Sequence, residues 1–301
     1  MSKVYVFTEF GGAEHQRLIQ QAVGAPGDGE VAIEVRAAGV NPVDWKIRTG
    51  QLGRDGDLPR PMGQEAAGVV TQVGDGVEDF AVGDEVLGVV APGYGGLAEH
   101  TVLIASQTVP KPEEIDFVQA AVIPVAGATS YDVTHQVELE PGQSMVVLGA
   151  GGGVGLMAAQ IGQVHQFKVI GVASDSKQEL VESTGATFVA SGSGAAERIR
   201  EMLPEGPDLV IDLVGGAPLR DIADVVTDRS RIISAADPET ALDLGGQSLE
   251  RTHTALEKIT EVIEYGLVNP HADTQFSLDH AAEAIAAVET GHAAGKVVVV
   301  P

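Results

Sequence analysis

The sequence contains no cysteine, and this absence limits the chemistry open to the chain. Without thiols there is no disulfide framework, no thiolate ligand for a metal and no cysteine nucleophile. No stretch approaches the ~18 consecutive apolar residues that indicate a membrane-spanning helix. The N-terminal residues MSKVYVFTEF also lack the apolar core of a signal peptide. These absences predict a soluble protein of the cytoplasm.

Basic residues are scarce as well. The 18 lysines and arginines are outnumbered by 43 aspartates and glutamates, which gives a formal net charge of −25. Nucleic acid and anionic membranes attract proteins through clustered positive charge, so neither is an expected partner. The acidic surplus is instead interpreted as a solvated surface.

One glycine-rich stretch, Met145 to Ile161 (MVVLGAGGGVGLMAAQI), stands between a predicted strand and a predicted helix. Its four leading apolar residues indicate a buried strand, and Val154, Met157 and Ile161 recur at helical spacing. Without side chains in the turn, a pyrophosphate can approach the backbone, where the N–H groups of the helix N-terminus face it. The residues predicted to bind it are Gly151, Gly152, Gly153, Val154 and Gly155.

A glycine-rich loop alone is weak evidence, because glycines also mark flexible turns, and here Ala150 stands at the first glycine of G-x-G-x-x-G. The context favours the phosphate-binding interpretation. A second strand is predicted over Lys168 to Ala173, and Ser176 to Glu179 has the form of a capping box that opens another helix, which ends at Gly185. Strand, helix, strand and helix in succession predict a βαβ unit with a parallel sheet.

The first ~115 residues have a different pattern. Short apolar or alternating runs are separated by Gly, Pro and Asp clusters, which predicts a barrel or a sandwich rather than βαβ units. A chain of 301 residues is long enough for two domains. After Asn269-Pro270, the pattern predicts a strand over Thr274 to Leu278, a helix over Asp279 to Thr290 and a strand over Lys296 to Val300.

Several motifs together resemble the zinc-independent quinone oxidoreductase branch of the medium-chain dehydrogenase/reductase superfamily. They occur in that family's order and cover nearly the whole chain: NPVDWKIRTG (41–50), GQEAAGVVTQVGDGVEDFAVGDEVLG (63–88), GGLAEH (95–100), AAVIPVAGATSYDV (120–133), GAGGGVG (149–155), DLVIDLVGG (208–216) and GHAAGKVVVVP (291–301).

The resemblance implies an α/β protein with a β-barrel, in which a GroES-like N-terminal domain is combined with the doubly wound parallel sheet of a Rossmann domain. The expected domains are residues 1–117 with 268–301, GroES-like and catalytic, and residues 118–267, which bind the cofactor. The course of residues 237–253 is left open, because Gly245-Gly246 interrupts the strand that the family places there. A homodimer is expected from the same resemblance.

Zinc-dependent relatives carry a Cys near the position of Asn41 and a His where Gln64 stands, and neither ligand is present here. The eight histidines form no ligand-spaced pair, so no metal site is expected. Glu65 is interpreted as a buried structural carboxylate. Without a Lewis acid, the chemistry favours an already electrophilic substrate, such as a quinone or an α,β-unsaturated carbonyl.

The resemblance places Asn41, Asp44 and Arg48 in the family's N-x-x-D-x-x-x-R signature beside the nicotinamide, with Asn41 as donor to the substrate carbonyl. An equally weighted interpretation is that Asp44 and Arg48 form an i, i+4 ion pair that holds a turn together. Family members often carry a Tyr where this chain has Leu52, which suggests a more apolar substrate. Other polar or aromatic candidates are Tyr94, as a substitute donor or a surface residue, and Trp45, as a pocket wall or as barrel packing.

The cofactor is expected to be NADPH. The second strand of the βαβ unit ends in Val172-Ala173-Ser174, without the acidic residue typical of an NAD site. Ser174 and Lys177 match the residues with which the family binds a 2′-phosphate. The neighbouring Asp175 argues against this, because its carboxylate would repel the phosphate if it pointed inward. The resemblance adds further cofactor-binding residues: Thr129, Val214 and Lys296.

Two functional hypotheses follow. The first is an NADPH-dependent oxidoreductase that transfers a hydride to a small-molecule quinone or enone without zinc. The alternative is a catalytically weak NADPH-binding protein with a structural or regulatory role. The glycine-rich loop, the stretch that ends at Thr129 and the Asn41 signature favour the enzyme.

Overall fold

The computed structural model describes residues 1–291 and 293–301. His292, part of the C-terminal motif GHAAGKVVVVP, lies outside the described residues. The chain divides into two compact units. Unit 1 consists of Met1–Ala126 and Ala272–Pro301, and unit 2 consists of Gly127–His271.

Unit 1 begins with short strands joined by glycine-rich turns. Its elements up to residue 126 are β1 (Ser2–Phe7), β2 (Gln16–Gln21), β3 (Glu30–Val40), α1 (Pro42–Thr49), β4 (Arg60–Pro61), β5 (Glu65–Val73), β6 (Glu85–Val90), β7 (His100–Pro110) and α2 (Phe117–Ala120). β3 pairs with both β5 and β7, and β6 joins those two, so the four antiparallel strands close into a ring. Val31, Ile33 and Val35 alternate along β3 and are buried in the core of this ring.

Unit 2 contains a parallel sheet in the order β10-β9-β8-β11-β12-β13. Its strands are β8 (Ser144–Leu148), β9 (Lys168–Ala173), β10 (Thr187–Ala190), β11 (Leu209–Asp212), β12 (Ile232–Ser234) and β13 (Gln247–Ser248). This is the 3-2-1-4-5-6 order of a dinucleotide-binding sheet, whose strand order reverses between β8 and β11.

Helices cover both faces of this sheet. They are α3 (Ala128–His135), α4 (Gly153–Val164), α5 (Gln178–Ser183), α6 (Ala195–Met202), α7 (Gly216–Ala223), α8 (Pro238–Asp243) and α9 (Ala255–Glu264). Successive β8 side chains point to opposite faces: Val146 and Leu148 belong to one core cluster, and Met145 and Val147 to the other. The continuous apolar run predicted as a buried strand is therefore buried on both sides.

The segment that sequence reasoning left open, residues 237–253, begins with α8 and continues into β13. Gly245 adopts a φ of +88°, and a Cβ at Gly246 would lie 2.8 Å from the carbonyl oxygen of Ile232. These glycines turn the chain and bring it close to β12. They shorten the edge strand to Gln247–Ser248 without preventing it.

The chain re-enters unit 1 with β14 (Thr274–Ser277), α10 (Ala281–Glu289) and β15 (Val297–Val300), close to the predicted elements. The helix begins two residues later than expected, because Leu278–His280 forms a 3₁₀ turn. β15 pairs antiparallel with β3, with Val297 opposite Val40. This pairing places Lys296 beside the end of β3. Among the described residues, no helix has the length and apolarity needed to cross a membrane.

Candidate active site

The signature around Asn41 lies where β3 ends and α1 begins. Asn41 is extended (φ −130°, ψ 156°), and Pro42 occupies the first helical turn, where its missing N–H costs nothing. The Asp44 carboxylate accepts a hydrogen bond of 2.8 Å from the Asn41 N–H. The signature is thus the N-terminus of a helix, and Asp44 caps it.

The side chain of Asn41 is held by two charged groups from distant parts of the sequence. Its Nδ2 donates to Glu65 Oε1 at 2.6 Å, and its Oδ1 accepts from Lys296 Nζ at 2.6 Å. Lys296 Nζ also donates to Glu65 Oε1 at 3.0 Å and to the carbonyl oxygen of Val40 at 3.1 Å. We call Asn41, Glu65 and Lys296 the amide cluster.

The amide cluster is buried: Glu65 is 0% exposed, Asn41 4% and Lys296 5%. The second carboxylate oxygen of Glu65 accepts from the backbone N–H of Val125 at 2.7 Å. A Cβ on Gly39 would overlap the Glu65 carboxylate, so only glycine leaves room for it in β3. Glu65 has the buried structural position expected for it, and it also contacts the predicted substrate donor.

Lys296 was expected at the cofactor. In this structure its three N–H donors are directed to Val40, Asn41 and Glu65, all within unit 1. Contact with a bound cofactor would require at least one of these bonds to be replaced. A direct cofactor role for Lys296 therefore stays a prediction, whereas its contact with Asn41 is observed.

Asp44 lies beside this cluster and is 2% exposed. Burial raises the pKa of its carboxyl from 3.8 to about 7, against the hydrogen bond from Asn41 and the positive charge of Lys296, which lower it. The nearby Glu65 charge also raises this pKa. Asp44 Oδ1 has no hydrogen-bond partner among the described residues. Asp44 therefore holds its proton to a much higher pH than an exposed aspartate does.

Arg48 does not form the alternative i, i+4 pair with Asp44. Its Nη2 forms an ion pair of 2.7 Å with Glu289 of α10, and its Nε donates to the carbonyl oxygen of Gly11 at 3.1 Å. The side chain is 1% exposed. Arg48 faces α10 because that side of α1 packs on the C-terminal return, which no local spacing rule could anticipate.

The remaining aromatic and apolar candidates in unit 1 are Tyr94, Trp45 and Leu52. Tyr94 lines a surface cavity of about 340 Å³ together with residues of β1 and β2, and neither Asn41 nor Lys296 belongs to its lining. Trp45 packs against the core of unit 1, as one interpretation of it expected. Leu52 is 61% exposed.

The glycine-rich loop of unit 2 follows the carboxyl end of β8, at the point where the strand order reverses. Gly152 is the N-cap of α4, and having no side chain it cannot itself cap the N–H groups of the first turn. A Cβ at Gly155 would lie 2.6 Å from Ala150 Cα, which shows how closely the helix approaches the loop. A helix N-terminus whose N-cap is glycine, behind a tight glycine turn, fits the phosphates of a dinucleotide.

Lys177 lies over this loop: a Cβ at Gly151 would overlap its side chain. Burial lowers the pKa of the Lys177 ammonium. The expected capping box is wrong, because Asp175–Lys177 forms a 3₁₀ turn and α5 begins only at Gln178. Lys177 therefore precedes the α-helix instead of lying in its first turn, and Ser174 and Asp175 are exposed beside it.

Two other predicted cofactor residues, Thr129 and Val214, occupy different positions in unit 2. Val214 is 51% exposed, and a Cβ at Gly149 would lie 3.0 Å from its Cγ2, so it forms a wall at the start of the loop. Thr129 is 5% exposed and accepts a hydrogen bond of 3.3 Å from Arg251. Sequence reasoning missed Arg251, because it follows β13 in the segment that had no interpretable pattern.

Comparison with known proteins assigns the chain to a family. Two family models match it: an alcohol dehydrogenase GroES-like domain over residues 27–113 and a zinc-binding dehydrogenase over residues 179–299. The chloroplastic NADPH-dependent alkenal/one oxidoreductase of Arabidopsis thaliana is 34% identical, over 99% of this chain and 79% of that protein. The quinone oxidoreductase of Rattus norvegicus is 32% identical, over 94% and 92% respectively. The chain belongs to the quinone oxidoreductase branch of the medium-chain dehydrogenase/reductase superfamily.

This quinone oxidoreductase family member also matches solved structures along its whole length. The quinone oxidoreductase of Pseudomonas syringae has a TM-score of 0.89 and 26% identity, and the match covers 100% of both chains. The family assignment and the GroES-like plus Rossmann fold predicted from the sequence are therefore confirmed.

The described residues of this family member contain no group of three or more His, Cys, Asp or Glu side chains arranged to hold a metal. In the region where zinc-dependent relatives have metal ligands, this chain has the side-chain amide of Asn41, hydrogen-bonded to Lys296 and Glu65. An ammonium and a neutral amide nitrogen are poor metal donors, because neither offers a free lone pair.

Proposed function

We propose that this protein is an NADPH-dependent reductase of quinones or α,β-unsaturated carbonyls. The observation that carries the proposal is its 34% identity, over 99% of its length, to a protein named NADPH-dependent alkenal/one oxidoreductase. The glycine-rich loop and the amide cluster agree with it chemically. One supplies an anion site for a dinucleotide, and the other supplies a fixed hydrogen-bond donor.

NADPH, when bound, supplies the hydride. The glycine-rich loop and the N-terminus of α4 would hold its pyrophosphate, and Val214 would limit the space beside the loop. Asn41 donates a hydrogen bond to the substrate carbonyl, whose oxygen gains negative charge as hydride is added to the conjugated system. Asp44 holds Asn41 at the start of α1 through the backbone N–H.

Catalysis does not use zinc in this proposal. The second family model is described as a zinc-binding dehydrogenase, but the chain has no cysteine and has Gln64 where the zinc-dependent relatives have histidine. Glu65 is also occupied by Asn41, Lys296 and Val125. Stoichiometric zinc by elemental analysis, with activity lost to a chelator and restored by zinc, would contradict this part.

The preference for NADPH over NADH rests on Ser174 and Lys177. The aliphatic stem of Lys177 lies over Gly151, and the Ser174 hydroxyl lies within 3.2 Å of the Ser176 hydroxyl at the same turn. A cation and hydroxyl donors suit a 2′-phosphate. The exposed Asp175 opposes it only when the carboxylate turns toward the phosphate.

The exposed Leu52 supports a substrate with an apolar body, because it stands where many relatives carry a tyrosine. The test is a screen in which the loss of NADPH absorbance is followed with quinones, alkenals and cyclic enones. Turnover of enones or quinones that falls in Asn41→Ala is expected. Tight NADPH binding without turnover of any of these substrates would favour the alternative, a nucleotide-binding protein with a structural or regulatory role.

We further propose a homodimer located in the cytoplasm. In the described part of the chain, β13 is the edge of its sheet and pairs only with β12, and Leu242 of the preceding α8 is 60% exposed. An exposed edge beside an apolar side chain is suited to a second copy of the chain. Light scattering should give twice the 31.0 kDa chain mass, and Leu242→Glu should reduce it. A monomer at micromolar concentrations would contradict the dimer.

A further inference from the structure

The amide of Asn41 can adopt only one orientation in its surroundings. Amide oxygen and nitrogen have nearly the same shape, so neighbouring groups decide which way the side chain points. Lys296 Nζ is only a donor and Glu65 Oε1 only an acceptor, and each lies 2.6 Å from the matching atom. A flipped amide would place N–H against the ammonium and oxygen against the carboxylate, and both contacts are repulsive.

This orientation leaves one hydrogen bond for a ligand. The Oδ1 atom is occupied by Lys296, and one Nδ2 hydrogen is directed to Glu65. The second Nδ2 hydrogen has no acceptor among the described residues. Asn41 therefore presents a donor and not an acceptor, which is the polarity that a developing oxyanion requires.

The ammonium of Lys296 also changes the strength of that donor. A positive charge 2.6 Å from Oδ1 withdraws electron density from the amide and makes its N–H hydrogens more acidic. Water cannot screen this effect, because Lys296 is 5% exposed and Asn41 4%. Glu65 balances the buried charge without contacting Oδ1.

We infer that Lys296 and Glu65 are positioning residues that orient and polarise Asn41 as the hydrogen-bond donor to the substrate oxygen. Lys296 has this role in addition to, or in place of, the cofactor contact expected for it. The inference rests on the proposed function, because it requires that Asn41 contacts substrate. It connects residues 255 positions apart, which the pairing of β15 with β3 brings together.

A double-mutant cycle on the full-length protein tests this inference. The four proteins are the unaltered enzyme, Asn41→Ala, Lys296→Met and the double variant, assayed for kcat and kcat/KM with the best enone or quinone from the screen. Asn41→Ala should lower kcat about a hundredfold, and Lys296→Met about tenfold. In the Asn41→Ala background, Lys296→Met should change kcat less than about twofold, because the group through which it acts is gone.

A second buried lysine provides the matched control. Lys111 has a side chain that is 6% exposed, forms an ion pair with Glu85 and donates to the carbonyl oxygens of Pro112 and Ile115. Lys111→Met removes the same group from the same unit, so it should lower the free energy of unfolding while leaving kcat unchanged. Loss of kcat in Lys111→Met equal to that in Lys296→Met would overturn the inference.

Lys296→Met leaves Glu65 buried without its ion-pair partner, and this variant can fail to fold. The variant Glu65→Met/Lys296→Met removes both charges and can take the place of Lys296→Met in the cycle. It should lower kcat about tenfold in the unaltered enzyme and less than about twofold in the Asn41→Ala background. Equal losses in both backgrounds would show that Lys296 acts independently of Asn41 and would overturn the inference alone. Absence of turnover in the unaltered enzyme would overturn the proposed function and the inference together.

Discussion

Asp44→Asn tests whether burial controls the protonation of the carboxyl that caps α1. The substitution keeps the shape of the side chain and an oxygen that accepts from the Asn41 N–H, but it removes the ability to ionise. Asp44 is 2% exposed, and its pKa is raised to about 7 from 3.8, principally by burial. The pH dependence of stability should therefore change even though the structure does not.

The sign and size of this change follow from linkage. Between pH 3.8 and about 7 the folded chain holds the Asp44 proton and the unfolded chain has released it, so stability falls as the pH rises. The stabilisation is complete below 3.8 and is lost as the pH passes through about 7. Each pH unit corresponds to about 1.4 kcal/mol, so the whole window amounts to roughly 4 kcal/mol.

The measurement is urea unfolding of the unaltered protein and Asp44→Asn at several pH values between 5 and 8. The difference in free energy of unfolding should move in favour of the variant by about 1.4 kcal/mol per pH unit up to pH ~7 and then level off. Asp208→Asn serves as a control, because its effect on stability should stay constant over this pH range. Burial acts to raise the pKa of Asp208, but hydrogen bonds from Ser144 and Gln143 outweigh it and lower the pKa.

Because the pKa of Asp208 is depressed, its contribution to stability is present above the unfolded pKa and is lost as the pH falls. That loss lies below pH 3.8, so the deficit of Asp208→Asn should be the same at every pH from 5 to 8, whereas the difference for Asp44→Asn changes across this range. Parallel stability curves for Asp44→Asn and the unaltered protein would refute the reasoning. They would mean that Asp44 ionises in the folded state as easily as in the unfolded chain.

Three further predictions concern the glycine-rich loop, the phosphate grip and the α1–α10 contact. Gly155→Ala should lower the free energy of unfolding, measured in urea, by about 1–3 kcal/mol, because its Cβ would lie 2.6 Å from Ala150 Cα. Gly152→Ala, whose Cβ would have its nearest neighbour 3.6 Å away, should not lower it, and equal losses would contradict the packing argument. Lys177→Ala should raise the NADPH dissociation constant about ten- to a hundredfold in titration calorimetry and leave that of NADH unchanged. Equal effects on both constants would show that Lys177 does not bind the 2′-phosphate. Glu289→Gln should destabilise the fold by roughly 1–3 kcal/mol with kcat preserved, since it removes the charge paired with Arg48; a lower kcat at unchanged stability would instead give Arg48 a direct role.

The candidate site was predictable from the sequence as far as local patterns reach. The loop from Gly151 to Gly155 follows its strand and opens its helix as the spacing predicted, because backbone geometry and glycine content act over a few residues. The capping box predicted at Ser176 was wrong, although it too rested on local spacing. A 3₁₀ turn over Asp175–Lys177 satisfies the backbone there, and the side-chain spacing cannot distinguish the two outcomes.

By itself, the sequence determined the class of the protein: buried parallel strands joined by helices, an antiparallel N-terminal unit, and the residue types at Asn41, Asp44 and Lys177. These features are recorded in apolar periodicity and in motifs that lie within a few residues of each other. Only the tertiary structure decided which partners the polar side chains have. Arg48 meets Glu289, and Asn41 meets Glu65 and Lys296, across 241, 24 and 255 positions. The physical reason is that a buried charge needs a partner, and the partner is whichever group the packing of the chain places beside it. Strand pairing such as that of β15 with β3 decides these neighbours, and no pattern within a few residues of the sequence records it.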